Sequence, residues 1–198
     1  IMVDRSSLSY EENVAQVKEL VKVAHATGVS VEAELGHVGQ GDNYAVDGKQ
    51  ALTDPAEAKK YIEETGIDML AVAVGTAHGE YVGTPHIDFD RLAAIKEAVG
   101  QDFPLVLHGG SGSGDENLAK ACTMGINKVN IYTDLAKAAV KKVKEMPKPG
   151  MIWPAIISGI KEQIGYYIEL FGGKGKAWLP ADKGVSVLQF RAVDRHQV

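Results

Sequence analysis

Cysteine occurs once in these 198 residues, at Cys122, so no internal disulfide can form and a reducing compartment suits the chain. Long apolar runs are also missing. None reaches the length of a membrane-spanning helix and no signal peptide is visible, so the expectation is a cytoplasmic protein with no membrane partner. There is no basic block, and a net charge of −5 argues against nucleic acid. What is present, 45% hydrophobic and 24% charged residues, suffices for one sizeable globular core. The sequence starts at Ile1, not at methionine, and directly on a strand-like segment, so a cut edge is expected there.

Strand and helix signals alternate. Ile1 to Asp4 reads as a short strand. Ser9 and Glu12 then form a capping box before Val14, Val17, Leu20, Val21 and Ala24 at helical spacing, with Gly28 as the stop. Val29 to Leu35 is a strand with Val31, Ala33 and Leu35 on one face and Ser30, Glu32 and Glu34 on the other. Asp54-Pro55-Ala56-Glu57 starts a second helix. Met69 to Val74 and Leu105 to Leu107 are wholly apolar strands, with a helix from Phe89 to Val99 between them. A helix from Glu116 to Met124 leads to a strand at Lys128–Ile131, and Thr133 is placed to cap the helix that runs on to Lys144. Such alternation predicts a parallel α/β sheet. Ile152 to Leu170 reads as mainly helical, with Pro154 as a start or a kink, within a closing C-terminal segment 151–177, and residues 178–198 read as an irregular tail.

Polar residues fall at the strand ends. Asp4, Glu34, His78, His108 and Asn130 each sit at or just past the end of a successive predicted strand, where the mouth of a (β/α)8 barrel collects its catalytic groups. A lone strand-end histidine is most often a satisfied side chain, but here glycines follow both histidines. Gly109-Gly110-Ser111-Gly112, leading into a helix, suits an anion held by backbone N–H groups. Glu32 and Glu34 should point inward, where buried carboxylates need a cation. For Glu32 a salt bridge to Lys128 is the competing reading, and for Asp4 a local cap or solvated end. Two histidines with one more ligand and an open position suit catalytic zinc, and Glu34, nearer the mouth, is the better carboxylate. His25, His37 and His86 read as surface residues, His196 falls in the tail, and Cys122 reads as a small core residue.

Four motifs in this order and spacing resemble the class II, metal-dependent ketose-bisphosphate aldolases. They are Val31-Glu32-Ala33-Glu34-Leu35-Gly36, Gly75-Thr76-Ala77-His78-Gly79, His108-Gly109-Gly110-Ser111-Gly112 and Asn130-Ile131-Tyr132-Thr133-Asp134. Asp54-Pro55 and the opening Met2-Val3-Asp4 resemble family segments too, so the similarity covers residues 1–144, with Leu170-Phe171-Gly172 similar to the closing helix. The resemblance implies a TIM barrel, residues 1–150 being its C-terminal part, that cleaves a ketose bisphosphate to dihydroxyacetone phosphate and glyceraldehyde 3-phosphate. It implies zinc on His78 and His108, each as neutral imidazole, with Asp4 and Glu34 at a second or alternative metal position. Gly79, Gly109, Gly110, Ser111, Asn130, Ile131, Tyr132 and Thr133 match substrate contacts around one phosphate. A monovalent cation (Na+ or K+) near that phosphate and a homo-oligomer are also implied, with Lys161 as a charge offered across an interface.

Two departures from the family bear on activity. The family's third zinc histidine lies in an Asp-His pair, and this sequence contains none. About five strands can be counted where the barrel needs eight, so the chain is expected to be part of an aldolase and inactive alone. In the loop after Gly36, where relatives carry a proton-transferring glutamate, Asp42 is the candidate substitute. Fructose 1,6-bisphosphate is the first choice of substrate. The alternatives are tagatose 1,6-bisphosphate, or a barrel fragment that binds sugar phosphate without turnover.

Overall fold

A computed structural model of the chain describes residues 1–39, 52–81, 85–146 and 148–176. Five strands, β1 (Met2–Val3), β2 (Glu32–Leu35), β3 (Met69–Val72), β4 (Leu105–Leu107) and β5 (Ile126–Val129), form one sheet. It is parallel throughout and its strand order is the chain order. The helices are α1 (Tyr10–Ala26), α2 (Pro55–Thr65), α3 (Phe89–Val99), α4 (Asp115–Thr123), α5 (Thr133–Glu145) and α6 (Ile152–Leu170). A neighbouring parallel strand after each of the first four helices is the β/α repeat, and these five strands form an arc of a (β/α)8 barrel.

Local chemistry sets the helix ends. Ser9 and Glu12 complete the expected capping box at α1, and the Asp54 carboxylate accepts from the N–H groups of Ala56 and Glu57 at α2. Thr133 is not the cap of α5: it is the first helical residue, and Tyr132, at the cap position, makes no side-chain bond there. The hydroxyl of Ser111, from the turn after β4, accepts from the N–H groups of Tyr132 and Asp134 instead. One glycine-rich turn thereby satisfies the open end of the next helix.

Alternation along each strand separates the two faces. Val31, Ala33 and Leu35 join Leu70, Val72, Leu105 and Leu107 in the core beneath the helices. On the other face the register aligns Glu34 with Ala71, Ala71 with Val106, and Val106 with Lys128. His108 lies two residues beyond Val106 and Asn130 two beyond Lys128, so both continue that inner row toward the mouth. Some boundaries differ from the sequence reading. β2 starts at Glu32, not Val29, because Val31 spends its N–H and C=O on Asp68 and the start of β3. β5 runs from Ile126 to Val129, two residues earlier than predicted, because Ile126 pairs with Leu105 at the start of β4. α6 has the predicted span. The tail from 177 onward and Asp42 lie outside the described residues.

Candidate active site

His108 is the centre of the inner row. It is buried, with Nε2 2.9 Å from Glu32 Oε1 and Nδ1 3.1 Å from Glu34 Oε2. Lys128 Nζ lies 3.0 Å from Glu32 Oε2 and donates to Asn130 Oδ1 at 2.6 Å. Glu32 therefore has the Lys128 partner that its sequence position suggested, and it also braces His108. Glu34 differs. Its Oε1 accepts from Val38 N and Ser6 Oγ, but Oε2, close to the imidazole and off its hydrogen-bond axis, is buried without a hydrogen-bond partner among the described residues. An orphaned buried carboxylate oxygen facing the mouth is costly and fits a cation site.

The electrostatics of the two histidines diverge. Burial alone would lower the His108 pKa, but the Glu32 hydrogen bond and the charges of Glu32 and Glu34 outweigh it and raise it to about 9. Between two carboxylates the metal-free His108 keeps its proton, and because only a neutral imidazole can ligate, a metal ion must displace it. The half-buried His78 is shifted below the ordinary histidine value, first by burial and then by the His108 charge. The two ring centroids are 5.6 Å apart with planes at 46°. Asp4, exposed at the end of β1, accepts from Ser6 N and Ser6 Oγ; burial raises its pKa but these bonds dominate and hold it low. Ser6 links it to Glu34 Oε1 (3.1 Å) and His37 Nδ1 (3.0 Å), so His37 is exposed as expected but joins the site's network.

What brings His78 beside His108 is the contact between the loops that follow β3 and β4. Thr76 Oγ1 donates to the His108 carbonyl at 2.7 Å. The Tyr81 hydroxyl accepts from Ala77 N and donates to the Gly109 carbonyl, both at 2.8 Å. Gly109 has φ +67°, and a Cβ there would lie 2.1 Å from the Ala77 carbonyl oxygen, so only glycine permits this approach. The sequence reading passed over Thr76 and Tyr81. Thr76 stood inside a quoted motif, whereas nothing about Tyr81 signalled that its hydroxyl would reach a second loop.

Beside the histidines opens a cavity of about 590 Å³. Seven of the eight residues expected at the substrate line it: Gly79, Gly109, Ser111, Asn130, Ile131, Tyr132 and Thr133, together with His78. Gly110 does not; a Cβ on it would meet Ile131 and Val129 side chains at 2.7 Å, which makes it a packing position behind the turn. No lysine or arginine is among the lining residues, so an anion there would be met by backbone N–H groups, hydroxyls and an amide.

A family model described as class-II fructose-bisphosphate aldolase matches residues 1–176. The chain belongs to that aldolase family. It is 41% identical over 184 residues to the uncharacterized protein YdjI of Escherichia coli (strain K12), covering 89% of this chain and 64% of YdjI. The X-ray structure of the YdjI aldolase from E. coli K12 matches with a TM-score of 0.77 at 38% identity, over 89% of this chain and 62% of that one. A candidate fructose-1,6-bisphosphate aldolase from Coccidioides immitis matches with a TM-score of 0.80 at 33% identity, over 89% of this chain and 64% of that one. A fructose-bisphosphate aldolase from Campylobacter jejuni, 24% identical, shares the fold with a TM-score of 0.70 over 86% of this chain and 59% of its own. The chain thus spans less than two thirds of the length of each. No described helix is long and apolar enough to cross a membrane.

Aldolases of this class generally use zinc, and the side chains present fit that ion in kind. Two imidazoles stand side by side at the strand ends, with the unpartnered Glu34 oxygen against one of them. They are an incomplete set, since among the described residues no three His, Cys, Asp or Glu side chains are arranged to hold a metal. The family's remaining histidine, from an Asp-His pair, has no counterpart in this sequence.

Proposed function

We propose that this chain carries the metal-binding and phosphate-binding part of a class II aldolase that cleaves a ketose 1,6-bisphosphate, fructose first, to dihydroxyacetone phosphate and glyceraldehyde 3-phosphate. The observation that carries the reading is the juxtaposition of the His78–His108 pair with the glycine-walled cavity next to it. His78 and His108 would hold the ion together with a ligand from outside the described residues, with Glu34 and Asp4 at a second or alternative position. A divalent ion bound there supplies Lewis acidity to the substrate ketone as the carbon–carbon bond breaks. The chain's own residues do the rest. N–H groups of Gly79 and Gly109 and the Ser111 hydroxyl, whose oxygen already accepts two N–H bonds and whose proton is left to donate, grip one phosphate. Asn130, oriented by Lys128, faces the substrate hydroxyls, and fixing the phosphate sets the reacting carbons beside the histidines. Asp42 is the proposed carrier of the proton at the dihydroxyacetone phosphate carbon, and Na+ or K+ would sit near the phosphate.

The test is a coupled assay for dihydroxyacetone phosphate on the zinc-loaded full-length protein. Release from fructose 1,6-bisphosphate is the expected result, with the 198-residue chain alone releasing none. Release only from tagatose 1,6-bisphosphate would move the substrate to the alternative. Binding of dihydroxyacetone phosphate without cleavage of either sugar would leave a sugar-phosphate-binding barrel, the reading favoured by the missing Asp-His pair.

A further inference from the structure

Tyr166 and Tyr167 of α6 each bind an aspartate in the first turn of a different helix. Tyr166 OH donates to Asp115 Oδ2 at the start of α4, and Tyr167 OH donates to Asp134 Oδ2 at 2.6 Å at the start of α5. The two are not equivalent. Tyr166 is exposed, whereas Tyr167 is buried and stacked on Phe171 with ring centroids 5.2 Å apart. The same Asp134 oxygen also accepts from Gly112 N at 3.1 Å, so Tyr167 acts, through one carboxylate, on the backbone of the glycine-rich turn.

Asp134 follows directly on Tyr132 and Thr133, which line the cavity, and itself lines the smaller pocket that adjoins it across Gly79, Ser111 and Thr133. A carboxylate at that position, free to rotate, would repel a phosphate in the cavity. Two donors on one oxygen hold it aside, and burial together with the Asp134 bond raises the Tyr167 pKa, so the hydroxyl stays a donor throughout the neutral range.

We propose that Tyr167 is a positioning residue for the phosphate end of the site: by holding Asp134 it fixes the Gly112 turn and keeps a negative charge away from the bound anion. The proposal rests on the reading of the cavity as a phosphate site, and its test separates the two. Inorganic phosphate is titrated into the chain and into its Tyr167→Phe and Tyr166→Phe variants, with amide hydrogen exchange at Gly112 followed in each. Tyr167→Phe is expected to weaken phosphate binding about five- to tenfold and to speed Gly112 exchange by about the same factor, the size of one ordinary net hydrogen bond. Tyr166→Phe, which loses a bond of the same kind outside the turn, should leave both within about twofold. Adding Asp134→Asn to Tyr167→Phe should restore phosphate affinity, because the freed group no longer carries charge; a merely structural loss would not be rescued. Unchanged affinity and unchanged Gly112 exchange in Tyr167→Phe would overturn the proposal and leave the phosphate site standing. Failure of the parent chain to bind phosphate would overturn the cavity reading and the proposal together, even with Gly112 exchange altered.

Discussion

Replacing His108 with alanine is expected to lower the stability of the protein, without metal, by about 3–5 kcal/mol, the usual cost of removing one member of a buried ion pair. The ring lies 2.9 Å from Glu32 and 3.1 Å from Glu34, all three buried. Its loss leaves Glu34 Oε2 with no ion-pair partner among the described residues, while Glu32 keeps Lys128. The same interaction sets a pH dependence. The His108 pKa rises on folding from the ordinary 6.5 to about 9, so its stabilisation is fully present below about 6.5 and is lost as pH climbs through 9. Urea denaturation of metal-free protein at a series of pH values should show this decline, and His108→Ala should flatten it. Zinc reverses the trend, since metal and proton compete for the ring and binding tightens as pH rises. A His108→Ala protein as stable as the parent would mean that the two carboxylates are satisfied some other way.

Gly109→Ala is expected to cost at least about 3 kcal/mol, combining the strain of a left-handed residue with a forced backbone contact. The added Cβ would meet the Ala77 carbonyl oxygen at 2.1 Å, so the loops carrying His78 and His108 must move apart. Phosphate affinity should fall by at least about tenfold with them, since Gly109 also lines the cavity. Gly28→Ala separates the two causes. Gly28 has φ +71° with open space around it, and should lose only about 1 kcal/mol with no effect on phosphate. Thermal melts with and without phosphate check both variants. Equal losses for Gly109→Ala and Gly28→Ala would show that the contact between the loops contributes nothing.

Much of this was legible in the sequence, for identifiable reasons. The capping box at Ser9, the Asp54-Pro55 helix start and the inward glutamates of β2 are local patterns whose physics acts within a few residues. Short-range rules likewise placed His78, His108 and the Gly109–Ser111 turn at strand ends. What sequence could not show depends on partners distant along the chain. Ser111 caps α5 in place of Thr133, Tyr81 stitches two loops, and Tyr167 reaches Asp134 from a helix that closes the fold. The charge state of the metal-free His108 likewise depends on distant partners. The histidine motif does not reveal that Glu32 and Glu34, two strands away in the sheet, hold the proton on the ring in the absence of metal.

His78 and His108 are proposed to share one divalent ion, and a calorimetric zinc titration of the protein and its His78→Ala and His108→Ala variants probes that directly. One zinc per chain is the expected stoichiometry, with each substitution weakening it by more than about 100-fold. His78→Ala is the sharper of the two, because among the described residues His78 makes no ion pair with a carboxylate that zinc would have to break. Zinc bound as tightly by His78→Ala as by the parent would show that the two rings serve separate ends, and would contradict the site described here.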